Sequence, residues 1–180
     1  MIITFYGVRG STAAPGPQTA KYGGNTSCVH IELESGNDLV LDAGTGIRLL
    51  GKQLAKKSTP TNILLSHGHW DHIQGYPFFE PIYQPDRVIN VYVHLESGRQ
   101  MLDTLFQQMD GTRFPVKAED LPSSHISKFK GIESELYERE GINVVKQALN
   151  HPGGGVAYKI DENGATCAYV TDNELDPPYA

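Results

Sequence analysis

The stretch from Ser66 to His72, with the sequence SHGHWDH, constrains the fold more than any other part of this chain. It follows the apolar segment Ile63-Leu64-Leu65, which is short and bounded by polar residues and is therefore typical of a buried strand. His67 and His69 are two positions apart, and in extended backbone this spacing points both imidazoles to the same side. Three imidazoles and one carboxylate in so short a run suit a divalent transition metal, zinc first. A group of solvated loop histidines is the alternative interpretation.

Apolar periodicity and turn residues predict more strands than helices in the rest of the chain. The predicted strands are residues 2–6, 26–34, 38–42, 88–95, 125–130, 142–149, 156–160 and 166–171. The predicted helices are residues 45–57 and 99–109, together with a short helix over 71–79 that is broken at Gly75 and Pro77. Residues 7–25 are rich in glycine and lack periodicity, which predicts a long loop. A hairpin is predicted across residues 161–164 between the last two strands, with Asn163-Gly164 supplying the turn.

Every candidate metal ligand follows a predicted strand. His67 and His69 come after the apolar segment, His151 after strand 142–149, and Asp172 after strand 166–171. Rigid strands fix the loops that follow them, so such positions are suited to a preorganised site. The sequence therefore predicts a metal site at one edge of a β-scaffold.

Composition is that of an ordinary globular protein. A length of 180 residues fits a single domain over residues 1–180, and 39% apolar with 20% charged residues is average. The net charge of −6 argues against a general nucleic-acid-binding surface. No signal peptide or apolar run of about 20 residues is recognisable, so no membrane association is expected. Cys28 and Cys167 are best interpreted as two small core residues in a reducing compartment, which predicts a cytoplasmic protein.

Four stretches resemble the metallo-β-lactamase-fold hydrolases, in that family's order and over nearly the whole chain. They are Leu41-Asp42-Ala43-Gly44, the HxHxDH run at 67–72, Asn150-His151-Pro152-Gly153-Gly154 and Tyr169-Val170-Thr171-Asp172. The opening GVRGS at 7–11, with YGGNTS at 22–27, resembles the branch that contains phosphoribosyl cyclic phosphodiesterases and ribonuclease Z. The resemblance implies a fold of the α/β (α+β) class: a four-layer αβ/βα sandwich with a dinuclear site at one edge.

The resemblance also implies a division of labour among the ligands. Six residues would bind one or two zinc ions, with manganese or iron as alternatives: His67, His69 and His151 on the first ion, Asp71 and His72 on the second, and Asp172 bridging both. A hydroxide held by the ions would attack phosphorus, and Asp71 would orient it or shuttle its proton. Asp42 is a candidate acceptor that fixes the tautomer of a ligand histidine, with a polar strand terminus as the alternative. Arg9 is a candidate partner for a substrate phosphate, or a solvent-facing arginine.

The sequence departs from the family after Asp172. The family supplies one more histidine and its closing strands and helix beyond this point, whereas eight residues follow here and none is histidine. We therefore expect a C-terminally incomplete domain with an intact first metal site and a depleted second one. The spare histidines are His30, His94 and His125. His94 is the best replacement of the three because it lies at the end of a predicted strand after the motif, but a surface or core histidine is the favoured interpretation there.

The leading functional prediction is a metal-dependent hydrolase of a small phosphodiester, such as a cyclic nucleotide-like or phosphoribosyl compound. A thioester or β-lactam hydrolase of the same fold is the alternative within enzymes. A different class of function is an inactive metal-binding module, or half of a two-chain assembly, in which an unpaired sheet edge would favour a homodimer.

Overall fold

Two β-sheets packed face to face organise the protein. The computed structural model describes residues 1–93, 98–128 and 141–175. The larger sheet has six strands in the spatial order β1 (Ile2–Gly7), β2 (Cys28–Glu32), β3 (Asp38–Leu41), β4 (Thr61–Leu64), β5 (Val88–Tyr92) and β6 (Ser124–Lys128). The smaller sheet has the order β7 (Asn143–Ala148), β8 (Val156–Glu162) and β9 (Ala165–Tyr169).

The strands from β3 to β6 run parallel, and this arrangement determines where a site can form. β1 to β3 are antiparallel neighbours, whereas β3, β4, β5 and β6 pair in parallel. The carboxyl ends of parallel strands meet at one edge of a sheet, so the residues that follow β3 and β4 are brought together. The predicted site at a sheet edge therefore has a direct structural basis.

Helices cover one face of the larger sheet. They are α1 (Ile47–Leu54), α2 (Trp70–Ile73) and α3 (Gly98–Gln107), with short 3-10 turns at Pro17–Thr19, Tyr76–Phe78, Glu80–Tyr83 and Ala118–Asp120. The core between the helices and this sheet contains buried side chains from both layers, including Ile47, Leu50, Ile63, Val91 and Leu105. The amphipathic patterns that predicted two of these helices are confirmed.

The first helix is shorter than its pattern predicted. It begins at Ile47, two residues after the predicted start, because Thr45 is engaged in a side-chain bridge. The backbone N–H of Thr45 donates to Thr26 Oγ1 at 2.8 Å, and the N–H of Thr26 donates to Thr45 Oγ1 at 2.9 Å. These reciprocal bonds tie the loop before the helix to the residues that lead into β2.

The second core lies between the two sheets. Ile31, Leu41 and Leu64 of the larger sheet pack against Val144 and Tyr158 of the smaller one, with further buried neighbours on both sides. Sheets that pack in this way bury alternate residues of each strand, which accounts for the alternation within β7.

The predicted Asn163-Gly164 turn between β8 and β9 is confirmed, although β8 ends two residues later than predicted. Asn163 and Gly164 have φ values of 51° and 86°, as a two-residue hairpin turn requires. β8 continues through Glu162 because the side chain of this residue is buried and paired. Its Oε1 accepts the N–H of Glu34 at 2.9 Å, and its Oε2 lies 3.0 Å from the ammonium group of Met1.

The described residues therefore form three layers of the αβ/βα sandwich: helices, larger sheet and smaller sheet. The outer face of the smaller sheet is open, with 48% of Val145 exposed and Lys159 also exposed. In the part of the chain that the structure describes, no helix follows β7. None of the helices in these described ranges is long and apolar enough to cross a bilayer.

Candidate metal centre

Two groups of donor atoms lie at the edge where β3 and β4 end. The first group is His67, His69, His151 and Asp172, and the second is Asp71, His72 and Asp172. Within each group the candidate ligand atoms lie within 4.8 Å of one another. The structure thus brings together all six residues that the sequence predicted as metal ligands.

The spacing of the first group suits a tetrahedral ion. His69 Nδ1 lies 3.1 Å from His67 Nε2 and 2.9 Å from His151 Nε2. Asp172 Oδ2 lies 3.4 Å from His67 Nε2 and 3.9 Å from His151 Nε2. Zinc–nitrogen bonds of about 2.0–2.1 Å at tetrahedral angles separate neighbouring donors by roughly 3.3 Å, so the four atoms fit such an ion.

The same Asp172 oxygen also belongs to the second group. Its Oδ2 lies 3.1 Å from His72 Nε2, and His72 Nε2 lies 3.6 Å from Asp71 Oδ2. One carboxylate oxygen is therefore positioned between the three imidazoles of the first group and the two remaining donors of the second. This is the position that the resemblance assigned to a bridging ligand.

A change from extended to helical backbone distributes the motif over both groups. His69 is extended, with φ −65° and ψ 151°, and the single turn of α2 begins at the next residue. In that turn Asp71 and His72 point inward and are buried, whereas Trp70 is 70% exposed. The motif therefore supplies ligands to two groups although it is continuous in sequence.

Two glycines allow the loop after β3 to lie directly against the motif. The N–H of Ala43 donates to the carbonyl of His72 at 2.7 Å, and the N–H of Gly75 donates to the carbonyl of Ala43 at 2.9 Å. A Cβ on Gly44 would overlap the carbonyl oxygen of Asp71, and one on Gly75 would overlap the carbonyl oxygen of Gly44. Only glycine permits this close backbone approach, which brings the preceding residue, Asp42, beneath the ligands.

Asp42 is fully buried and accepts hydrogen bonds from several directions. Its Oδ2 lies 2.7 Å from His72 Nδ1 and accepts the hydroxyls of Ser66 and Tyr169, each at 2.7 Å. Its Oδ1 accepts the backbone N–H of Ser66 at 2.7 Å. A carboxylate at Nδ1 favours the tautomer in which the Nε2 lone pair of His72 points toward Asp172. This geometry agrees with the orienting role predicted for Asp42.

Two side chains that contribute to the site, those of Ser66 and Tyr169, were missed by sequence reasoning. Tyr169 and Ser66 hold Asp42, and Ser66 Oγ also lies 3.0 Å from His67 Nδ1. The backbone N–H of Ser11 donates to Asp71 Oδ2 at 2.7 Å. Ser66 and Tyr169 both stand at strand ends next to ligands, which is the signal that could have identified them. From sequence, a turn-stabilising role is favoured for Ser11 over a hydrogen bond near the site, and the structure shows that its backbone N–H makes such a bond.

The charges around the cluster favour metal coordination. Burial, with the neighbouring His72, lowers the pKa of His67 to about 4, so this imidazole is neutral at pH 7. Burial lowers the pKa of His72, but its hydrogen bond to Asp42 and the nearby carboxylates outweigh burial and raise it overall. Burial likewise raises the pKa of Asp172, but His72, Thr171 and His67 outweigh it and lower it overall. An ion that binds here would meet an ionised carboxylate on Asp172 and a neutral imidazole on His67.

The structure does not bring Arg9 into the cluster. Its side chain is exposed, and its Nε donates to the carbonyl of Thr12 at 3.0 Å, within the same loop. The hydrogen bonds described for this residue connect it to its own segment and to Asn25, whose carbonyl accepts the Arg9 N–H. Contact between Arg9 and a substrate phosphate stays a prediction.

The spare histidines that the structure describes lie outside both donor groups. His30 Nε2 lies 2.7 Å from Asp38 Oδ1, and His125 packs against the rings of Tyr76 and Phe106. His94 lies outside the described residues. Within the described ranges, the second group therefore has three donors where the first has four.

We expect His125 to reduce stability in acid. Burial lowers the pKa of His125 from its ordinary 6.5, so the unfolded chain takes up a proton at a higher pH than the folded protein. This contribution therefore lowers the unfolding free energy as the pH falls below 6.5. Urea denaturation of the wild type and His125→Leu at pH 7 and at pH 5 should show a smaller acid loss in the variant. Equal losses would contradict the assignment, whatever the variant's stability at pH 7.

Comparison with known proteins supports the fold and identifies the family. A family model described as "Beta-lactamase superfamily domain" matches residues 37–179. A search of curated protein sequences gave no match. The metallo-beta-lactamase fold protein YhfI from Bacillus subtilis is 18% identical, with a TM-score of 0.63 over 97% of this chain and 63% of that one. Human tRNase Z, short form (ELAC1), is 20% identical, with a TM-score of 0.61 over 92% of this chain and 67% of that one.

These comparisons support different conclusions. The two solved structures are distant in sequence and therefore show the fold, and this chain spans 63% and 67% of their lengths. The family model covers most of the chain, including every residue of the two donor groups. The protein therefore belongs to the beta-lactamase superfamily and has the metallo-β-lactamase fold.

Proposed function

We propose that this protein is a metal-dependent hydrolase that cleaves a small phosphodiester. The observation that supports it most is the position of Asp172 Oδ2 within both donor groups, since two neighbouring ions suit in-line attack on phosphorus. The name of the structural neighbour tRNase Z is that of an enzyme that cleaves RNA, which favours phosphodiester chemistry over other bonds. The net charge of −6 favours a small substrate over a long nucleic acid.

The residues present fit a divalent ion. Three imidazoles and one carboxylate form a donor set that zinc accepts readily, with manganese or iron as alternatives. Bound ions would supply Lewis acidity, both to a water molecule and to the phosphoryl oxygens of the substrate. His67, His69 and His151 would hold the first ion, Asp71 and His72 the second, and Asp172 both.

Asp71 is the proposed catalytic residue. Its carboxylate is buried, and the N–H of Ser11 fixes its Oδ2. An oriented carboxylate beside both donor groups can align an attacking water and accept its proton. Arg9 would contact the substrate through guanidinium N–H groups other than Nε, which is bonded to Thr12.

The two sites should differ in affinity. The first group offers four donors and the second three among the described residues, so we propose one tightly held ion and one weakly held ion. Metal analysis after dialysis should find about one ion per chain at low free zinc, and a second only when zinc is in excess. Two ions that survive dialysis equally would contradict a depleted second site.

Removing the metal should abolish hydrolysis. Bis-p-nitrophenyl phosphate should be hydrolysed by the metal-loaded protein, should be left intact after chelation, and should be hydrolysed again when zinc or manganese is restored. Circular dichroism of the chelated protein controls for unfolding. Faster metal-dependent turnover of a thioester or of a β-lactam would overturn the substrate class and leave a metal-dependent hydrolase.

An inactive metal-binding module, or half of a two-chain assembly, is the second candidate. The three-donor group supports it, because a partner's residue would complete that group. Light scattering and specific activity over a range of protein concentrations test this candidate. Specific activity that rises with concentration, together with a dimer, would favour the assembly; stable metal binding without turnover of any ester would favour the module.

A further inference from the structure

A cleft of about 210 Å³ opens directly beside the first donor group. His67 and His69 border it on one side, α3 on another, and the loop that contains Gly153 on the third. From α3, the side chains of Gln100, Met101 and Thr104 line it. A substrate group bound in this cleft would lie next to atoms that the proposed function assigns to a metal ion.

The described lining contains no Asp, Glu, Lys or Arg. Gln100 offers an amide, which both donates and accepts hydrogen bonds, and it is exposed to the cleft's solvent. Thr104 Oγ1 donates to the carbonyl of Gln100 at 2.8 Å, which leaves its lone pairs available as acceptors. Met101 is buried and adds a soft apolar wall. These hydrogen-bonding groups and the apolar wall beside them are complementary to a ring that carries hydroxyls.

The backbone geometry of Gly153 and Gly154 lets their loop pass close to the ligand histidines without a side chain projecting into the cleft. Gly153 and Gly154 have φ values of 85° and 77°, which side-chain-bearing residues rarely adopt. A Cβ on Gly153 would come within 3.6 Å of His69 Nε2, so the backbone itself passes beside the ligand. The cleft is smaller than the roughly 300–1,000 Å³ of sites for drug-sized molecules, so it suits a single ring.

We infer that this cleft binds an uncharged, hydroxyl-bearing ester group of the substrate, a sugar or nucleoside, with Gln100 as a specificity-determining residue. The inference rests on the proposed phosphodiesterase function and specifies its substrate class. A cationic ester group would find no carboxylate in the described lining, and a second anionic group would find no Lys or Arg there. The cleft would therefore disfavour charged ester groups by leaving their charge unpaired, in addition to favouring hydroxyl-bearing groups through hydrogen bonds.

Three p-nitrophenyl phosphodiesters that share one leaving group test this specificity. Their second ester groups are thymidine, which is uncharged and bears a hydroxyl, a second nitrophenyl, which has no hydroxyl, and choline, which is cationic. The wild type should prefer the thymidine ester to the choline ester by about tenfold or more in kcat/KM, the range expected when a charge must be left unpaired. Gln100→Ala should raise KM for the thymidine ester about fivefold, the worth of one neutral hydrogen bond, with kcat within about twofold.

Two further variants separate the cleft from general effects on the helix. Thr104→Phe, at an exposed position, should fill the cleft and lower kcat/KM for the thymidine ester by about tenfold or more. Gln107→Ala, exposed on the same helix but outside this lining, is the matched control and should leave all three esters unchanged. Unchanged kinetics of both cleft variants, or a preference for the choline ester, would overturn the inference.

Equilibrium binding tests the cleft independently of hydrolysis. Trp70 is the single tryptophan of the chain and lies beside the ligands, so its fluorescence can report binding of thymidine to the zinc-loaded protein. Saturable binding that Gln100→Ala weakens about fivefold would support the cleft even if no ester were hydrolysed, in which case only the proposed function fails. Turnover of the esters without saturable thymidine binding would overturn the cleft and leave the function intact.

Discussion

Replacing Asp172 with Asn is expected to reduce phosphodiester hydrolysis by on the order of 10³-fold, because several kcal/mol of transition-state charge stabilisation depend on correctly held ions. Asp172 Oδ2 is the one atom that both donor groups share among the described residues. An amide keeps the shape of the side chain but lacks the negative charge that would hold two cations next to each other. We expect the second ion to be lost first, since its group would retain Asp71 and His72 alone.

The backbone makes this a clean substitution. Asp172 has a φ of 53°, and Asn tolerates that left-handed conformation as well as Asp does. Measured kcat, together with metal content, tests the expectation. Glu174→Gln is the matched control, because Glu174 is an exposed carboxylate whose described hydrogen bonds to Asn150 use its backbone. Near-wild-type kcat in Asp172→Asn, with two ions bound, would contradict a shared ligand.

Those features of the site that depend on local sequence could be predicted before the fold was known. The alternation of His67 and His69 in extended backbone requires only the two-residue period of a strand. Asp71 and His72 point inward if a helical turn begins directly after this extended segment, and no further condition is needed. The distant partners His151 and Asp172 were reached through the family resemblance, because no local period connects a residue to one that is 82 positions away.

The network beneath the ligands could not be predicted from periodicity. Asp42, Ser66 and Tyr169 follow or end three different strands, and they meet only because β3, β4 and β9 are brought to the same edge by the packing of the two sheets. Their residue types are also those of ordinary strand termini, so the polar alternative for Asp42 stayed open until the carboxylate was seen to accept four hydrogen bonds.

Loop conformation set a second limit on what could be predicted from the sequence. The substrate contact predicted for Arg9 stays a prediction, because its Nε donates to the carbonyl of Thr12 within a loop whose path no sequence pattern indicates. The predicted Asn163-Gly164 turn is confirmed, but β8 continues two residues beyond its predicted end because a buried ion pair holds Glu162. The extension of β8 therefore depends on a tertiary contact, whereas the Arg9 contact is local to its loop.

Asp42→Ala is expected to lower the unfolding free energy by about 3–5 kcal/mol, the range for removing one partner of a buried charged network. The loss would leave the hydroxyls of Ser66 and Tyr169 and the N–H of Ser66 without their acceptor. Burial and the neighbouring Asp42 raise the pKa of Tyr169 well above its ordinary value, so this hydroxyl stays protonated. In the variant it would need a different hydrogen-bond acceptor. Urea denaturation of the metal-free protein measures this effect apart from any contribution of bound ions.

Asp42→Asn tests the orienting role separately from the structural one. The amide fills the same space and tolerates the φ of 61° at this position, but it places two N–H donors among groups that are themselves donors. His72 would then no longer be fixed as the tautomer that presents Nε2, and metal affinity should fall about 10–100-fold. Competition with a fluorescent chelator measures that affinity, and Asp103→Asn, at an exposed position on α3, should leave it unchanged. If Asp42→Asn were to bind zinc as tightly as the wild type while still losing stability, Asp42 would be a structural residue, and the orientation of His72 would have to come from the inward turn of α2 alone.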